Sequence, residues 1–364
     1  VNSLSGLGIT DYPAGIMAAG ALLQYLYETQ KSSLSHIITI TPYTTGKYML
    51  IDSSSRRNLE LVETLREKQR KGSLIWVLDK TRTAMGARAL RNIIEQPLVD
   101  RESIIRRQDA IEELNNKNID REELREYLNP VYDLERIMAK ISCKSANPKD
   151  LIAFKNSVEM IPHIKNVLKT FASQLIRSLN EQIDGLSDIF YLIDSSIVDD
   201  PPVGMRDGGM IKEGFSSEAD ELRKAKTEGK QWLVDIEERE KEKTGIRNLK
   251  IKYNKVFGYY LEVTNSFKNM VPPEWTRKQT LTNAERYTTD ELKRLEDIIL
   301  GAEDKLNELE YELFSQVREE ISRNAARILN TAKALAQVDV LASLSTVAVM
   351  NNYVRPAIND KGLI

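Results

Sequence analysis

The chain has 364 residues, 41% hydrophobic and 29% charged, with a formal net charge of -2. Its length allows two to three domains with a sizeable core, and its composition is that of a soluble, helix-rich protein. The single cysteine, Cys143, excludes an intramolecular disulfide framework and fits a reducing, cytoplasmic compartment.

No apolar run approaches the roughly 18 residues of a membrane span, and no signal peptide opens the chain. The first residue is Val1 rather than Met, the expectation being an excerpt of a longer protein.

Residues 1–35 run from Gly-rich, turn-prone sequence into a short helix around Ala18–Tyr27 and read as the end of a domain. His36–Ile40 and Tyr48–Ile51 are short β-like runs. Helical spacing then predicts Asn58–Arg70, with a link at Ser73–Trp76, followed by Thr83–Ile94, Arg101–Leu114, Arg121–Leu128, Leu134–Ile141, Pro148–Ala172 and Leu175–Leu192. The last is broken near Gly185, and Asp199-Asp200-Pro201-Pro202 closes the block.

Asp207-Gly208-Gly209 signals a hairpin. Ser216 and Ser217 offer N-caps for a charged helix to about Lys243, with Gly245 a natural C-cap. Its expected face is Leu222, Ala225, Gly229, Trp232, Leu233 and Ile236.

At Ile246–Thr280 the pattern changes. Seven basic residues against two acids make that stretch net +5. Glu218–Lys243 before it is net -2, and Glu285–Glu320 after it is net -7. Leu249, Ile251 and Tyr253 alternate with Lys250, Lys252 and Asn254, the period of a strand with one buried face. Tyr259–Val263 supplies a second strand, and Gly258 can take the positive φ of a short turn, so a hairpin with Lys255 near its tip is predicted. A basic island between acidic arms fits a module that meets a polyanion. A small sheet must also carry charge somewhere, and a solvated polar face fits the same pattern.

From Asn283 to about Leu344 apolar residues step by three or four, through Leu292, Leu295, Ile298, Ala302, Leu306, Leu309, Leu313, Val317, Ile321, Ala325 and Ile328. A helix of about 45 residues would span on the order of 70 Å. The expected fold is mainly α: a multi-helix core, two long antiparallel lever helices and a small inserted β-rich clamp.

Catalytic chemistry is missing from this reading. Gly46-Lys47 is followed by Tyr48, and position 41 is Thr, so no phosphate loop forms. His36 and His163 lie far apart, and with one Cys they cannot assemble a zinc site, so neither metal nor catalytic residues are expected. Cys143 is expected buried or half-buried.

Six stretches carry a resemblance: DSSSRRNLEL at 52–61, KTRTAMGARALRNIIEQPL at 80–98, DLERIMAKI at 133–141, RDGGMIKEGF at 206–215, YNKVFGYYLEV at 253–263 and QTLTNAERY at 279–287. Together, and in this order, they resemble the MutS family of DNA mismatch-repair proteins, although Lys278 stands where Arg is common. The resemblance implies a connector end at 1–35, core at 36–228, an inserted clamp at 229–288 and the returning core at 289–364. It implies double-stranded DNA as partner, a homodimer and a MutL-type partner for the full-length protein. It also implies an ATPase domain, with its ATP and Mg, beyond this stretch, so the chain itself is expected to hold no cofactor and to be no enzyme. The stretch has no N-terminal Phe-x-Glu mismatch reader. Clamp contacts in the family go mainly to phosphates, which position a protein without reading sequence. The implied DNA contacts are Lys250, Lys252, Asn254, Lys255, Lys268, Arg277 and Lys278. Tyr259 and Tyr260 are expected to pack, and Asn283, Glu285 and Arg286 to cap the return to helix. The competing expectation is a coiled-coil scaffold whose tip binds another protein.

Overall fold

Helical periodicity dominates, and the computed structural model is mainly α with one small antiparallel sheet. It describes residues 13–30, 46, 48–205, 208–254, 256 and 258–359. The expected strand at His36–Ile40, Lys47, Asp207 of the predicted turn and Lys255 lie outside the described residues, as do residues 1–12. The helices are α1 Pro13–Gln30, α2 Ser53–Asn58, α3 Leu74–Leu78, α4 Ala84–Glu95, α5 Arg101–Asn116, α6 Asn118–Leu128, α7 Leu134–Ser142, α8 Pro148–Glu159, α9 Ile161–Leu168, α10 Gln174–Gln182, α11 Ser187–Ser196, α12 Ser217–Thr244, α13 Asp290–Arg323 and α14 Ala325–Met350. The strands are β1 Lys250–Asn254, β2 Gly258–Thr264, β3 Thr276–Thr280 and β4 Ala284–Thr288.

Two compact units divide the chain: Val1–Asp194 with Val317–Ile364, and Ser195–Gln316. The first is organised around α14, which packs against α4, α5, α7 and α10. By length and composition α14 could cross a membrane, a run the sequence reading did not find. Here it is a core helix, with Ala332, Leu335, Val338, Leu341 and Ala342 buried. It also buries Asp339, which accepts from the Arg82 and Thr83 N–H groups and from Thr83 Oγ1 at 2.8 Å. Thr83 caps α4 by accepting from Gly86 N, and a Cβ at Gly86 would overlap the Asp339 carboxylate. Arg88 of α4 then holds Asp133 with both guanidinium nitrogens, at 2.6 and 2.8 Å. The KTRTAMGAR and DLER stretches are therefore partners in one framework.

Several local expectations change. Asn58–Arg70 is a run of turns, with Glu60 and Lys68 at positive φ. Its helical stripe loses to tertiary pairing: Leu61 is buried, and the Glu60 and Leu61 carbonyls accept from Leu74 N and Ile75 N. Ser73–Trp76, expected as a link, instead opens α3. Tyr48–Ile51 contributes only an isolated bridge, Tyr48 to Leu98. Pro148–Ala172 divides at Met160, ahead of Pro162. The predicted hairpin around Gly208 reduces to one bridge, Ile197 to Ile211. Cys143 is exposed, because it caps α7 just past the last buried residue, Ile141. His163 stacks on Tyr127 at 5.1 Å.

The second unit holds α12, the sheet and most of α13. Ser216 caps α12 through its side chain, and Gly245 ends it in the left-handed conformation. Lys226 pairs with Glu303 at 2.9 Å, while Arg239 pairs with Glu291, so the two helices run antiparallel. The buried stripe of α13 is Leu292, Leu295, Ile299, Ala302, Leu306, Glu310 and Phe314. Ile298 faces out at 51% exposure, as does Trp232 of α12 at 47%, correcting the expected faces by one residue. Glu310 is affordable inside because Arg223 donates to it at 2.6 Å and Met210 N at 2.9 Å. The long helix begins at Asp290, with Thr289 accepting from Leu292 N, and stops at Arg323. Asn324 turns its amide onto the Glu320 carbonyl, a local bond that competes with helix continuation.

Candidate nucleic-acid interface

The sheet has strand order β1-β2-β4-β3, all antiparallel. Its core is Leu233, Ile236, Ile246, Leu249, Leu261, Val263, Trp275, Tyr287, Leu292, Leu295 and Ile299, drawn from both helices and the strands. The alternation in β1 holds at its start, where Leu249 is buried and Ile251 packs on the core while Lys250 and Lys252 are exposed. Tyr253, expected on the buried face, is instead 47% exposed beside the turn and rests on Tyr259. The turn from β1 to β2 closes with Asn254 opposite Gly258, and Asn254 Oδ1 accepts from Val256 N at 2.8 Å. Gly258 has φ +73°, and a Cβ there would overlap the Glu296 carboxylate. No other residue serves as well at that position.

Two carboxylates, one from each helix, fix the sheet's orientation. Glu237 of α12 accepts from Ile251 N at 2.8 Å, and Glu296 of α13 accepts from Tyr259 N at 3.1 Å. Burial pushes the Glu237 carboxyl up, but Lys241, the Ile251 N–H and Lys250 outweigh it and hold it below the ordinary range.

Directly paired residues of antiparallel strands share a face. Ile251, Leu261 and Tyr287 therefore line one face, and Arg277, opposite Tyr287, belongs to it. Lys250 opposite Glu262, and Glu262 opposite Arg286, line the other, with Lys252 and Tyr260. Lys278 is exposed at the β-bulge between Arg277 and Gln279. The candidate cations are thus divided. Lys250, Lys252 and the β1 end of the turn lie together; Arg277, and Lys268 from the 3-10 turn Asn265–Met270, meet on the opposite side at Glu285. Lys255 falls outside the described residues.

The partners differ too. Lys252 reaches Glu262 at 2.7 Å, which raises the lysine's pKa. Glu262 is shared with Arg286 at 3.8 Å, and the Arg286 guanidinium lies 4.3 Å over the Tyr260 ring and donates to Gln279. Lys268 reaches Glu285 at 2.6 Å and Arg277 reaches it at 3.8 Å. Glu285 is 2% exposed, accepts also from the Tyr287 hydroxyl, and is held below the usual carboxylate range by Lys268 and then Tyr287. Burial, then Glu285, pushes the Tyr287 hydroxyl up to about 12. Tyr260 is 3% exposed and Tyr259 packs on the core and on Tyr253, the packing roles expected of them. Sequence reasoning counted Arg247 in the basic island but passed over it as a contact. It is exposed in the turn before β1, with no ion pair among the described residues, and its signal was its place in the net +5 stretch.

Comparison with known proteins bears on what this sheet serves. The family model MutS domain III matches residues 54–345. The chain is similar, at 62% identity over 364 residues, to a DNA mismatch repair protein MutS of Lachnoclostridium phytofermentans, covering all of this chain and 39% of that relative. It is 52% identical over 353 residues to one of Ruminiclostridium cellulolyticum and 50% identical over 363 residues to one of Halothermothrix orenii. The chain spans about two fifths of the length of these curated relatives.

Proposed function

The chain belongs to the MutS family of DNA mismatch-repair proteins, and from that premise we propose that it grips duplex DNA through the phosphate backbone at the sheet carried by α12 and α13. One observation carries the reading: the strand-period segment is net +5 between helices that are net negative. Phosphate contacts by lysine and arginine position a protein on a duplex without reading its bases. Asn254, whose carbonyl oxygen is used in the turn, keeps its amide N–H groups to donate to a phosphate.

The two long helices, antiparallel and ion-paired, are the lever that passes the state of the grip to the nucleotide-hydrolysing part of the full-length relatives. ATP and Mg belong there in this reading, and the chain itself uses no cofactor. A homodimer, a MutL-type partner and a cytoplasmic setting complete the proposal, on the strength of the family.

A salt titration of duplex binding by the 364-residue chain tests the grip. Each neutralised phosphate contributes about 0.9 to the slope of log affinity against log salt, so three engaged cations give a slope of about -3. A flat dependence would instead favour a tip that binds protein.

A further inference from the structure

The basic residues of the sheet are not equivalent, because most already hold a carboxylate. What separates them is what would happen to that carboxylate if the cation left. Glu285 is buried and depends on Lys268, Arg277 and the Tyr287 hydroxyl. Drawing the two cations onto a phosphate would strip the Glu285 carboxylate of both charged partners at once and leave it a single hydroxyl, a costly exchange. Glu262 is different. Its second cation, Arg286, is anchored by the Tyr260 ring and Gln279, and stays when Lys252 leaves. Lys250 lies on the same face as Lys252, two residues before it, and has no ion pair among the described residues. Arg247 stands three residues before Lys250, equally exposed and without an ion pair among the described residues.

We propose that the duplex is engaged by the β1 edge through Arg247, Lys250 and Lys252, that Glu262 is a built-in competitor which surrenders Lys252 to a phosphate, and that Lys268 and Arg277 are structural cations locked on Glu285. The inference rests on the reading of the sheet as a duplex grip. It deepens that reading by naming Arg247 as a contact and Glu262 as the group that holds affinity down. The carboxylate stands where a phosphate oxygen would stand, and binding exchanges one anion for another.

The test is a set of salt titrations with a fluorescent duplex of fixed sequence, on the full 364-residue chain. Arg247→Ala and Lys250→Ala should each flatten the log–log slope by about 1 unit. Glu262→Gln should tighten binding at low salt and steepen the slope by up to about 1, since the freed Lys252 then releases a counterion. That gain should vanish when Glu262→Gln is combined with Lys252→Ala. A gain that persists in the double variant would mean general repulsion rather than competition, and would overturn the role of Glu262. Glu274→Gln, which frees Lys243 from its 3.1 Å pair, controls for loss of one acid and should leave the slope unchanged. Lys268→Ala should lower the melting temperature without moving the slope. If Lys268→Ala remains folded and flattens the slope by a unit, the division into exchangeable and locked cations is wrong. If the unsubstituted chain binds with no salt dependence, the grip itself falls along with this inference; if it binds steeply and Arg247→Ala and Lys250→Ala leave the slope unmoved, only this inference falls.

Discussion

Single residues account for the family-like stretches in physical terms. Asp339 sits buried in α14 and takes its donors from the turn that opens α4, so Thr83 does two jobs, accepting from Gly86 N and donating to the carboxylate. Thr83→Ala should destabilise the chain by about 1–2 kcal/mol, as loss of a helix cap does. Gly86→Ala should cost more, since its Cβ would overlap Asp339. Urea unfolding ranks the two, and the reverse order would contradict the packing described. Arg327 gives a pH-dependent case. Its guanidinium holds both Asp184 and Asp188 below the usual carboxylate range. Depressed folded-state values contribute stability above the unfolded pKa, and that contribution is lost as pH falls through the folded values. Arg327→Ala should therefore cost up to about 1 kcal/mol near neutrality, the pair being largely exposed. The difference from the unsubstituted chain should shrink below about pH 4. A gap that stays constant down to pH 2 would assign the loss to packing instead.

At the scale of elements, β1 shows how one strand serves two purposes. Leu249 just before it and Ile251 within it fasten it to the core, and Lys250 and Lys252, which alternate with them, face away. Leu249→Ala should destabilise the second unit by about 2–5 kcal/mol, the range for a buried leucine. Lys250→Ala should change stability by less than about 0.5 kcal/mol. Thermal unfolding followed through Trp275, which lies in the same core, separates the two; equal effects would mean that Lys250 is part of the fold. The helices show a parallel economy. The α13 stripe admits Glu310 because Arg223 of α12 comes with it, and Glu237 and Glu296 spend their carboxylates on strand N–H groups. The sheet is thus tied by hydrogen bonds to both helices that a lever motion would use.

For the whole molecule, the proposed contacts all go to phosphates. Matched and mismatched duplexes of equal length should then bind with affinities within about twofold of each other, because backbone contacts carry no sequence information. Competition between the two duplexes at low salt measures this directly. A tenfold preference for the mismatch would require a base-reading group that the sheet as described does not present.

The sequence by itself determined what depends on neighbours a few residues apart. Periods of 3.6 and 2 placed most helices and the β1–β2 hairpin, Ser216 and Gly245 marked the ends of α12, Gly258 marked the turn, and the charge island stood out by counting. Only the tertiary structure decided which cations share a face and which carboxylate each one meets. Glu285 lies seventeen residues after Lys268, Glu262 lies ten after Lys252, and Asp339 lies more than 250 after the turn it holds. No periodicity encodes such pairs, since they arise from strand register and packing. The same holds where local signals were overruled. Asn58–Arg70 has a helical stripe, but its backbone is claimed by Leu74 and Ile75. Burial of Ile299 rather than Ile298 follows from the partner helix, whose Gly229 comes against it. Short-range chemistry chose the elements, and long-range pairing of charge and apolar surface chose what each exposed residue is free to bind.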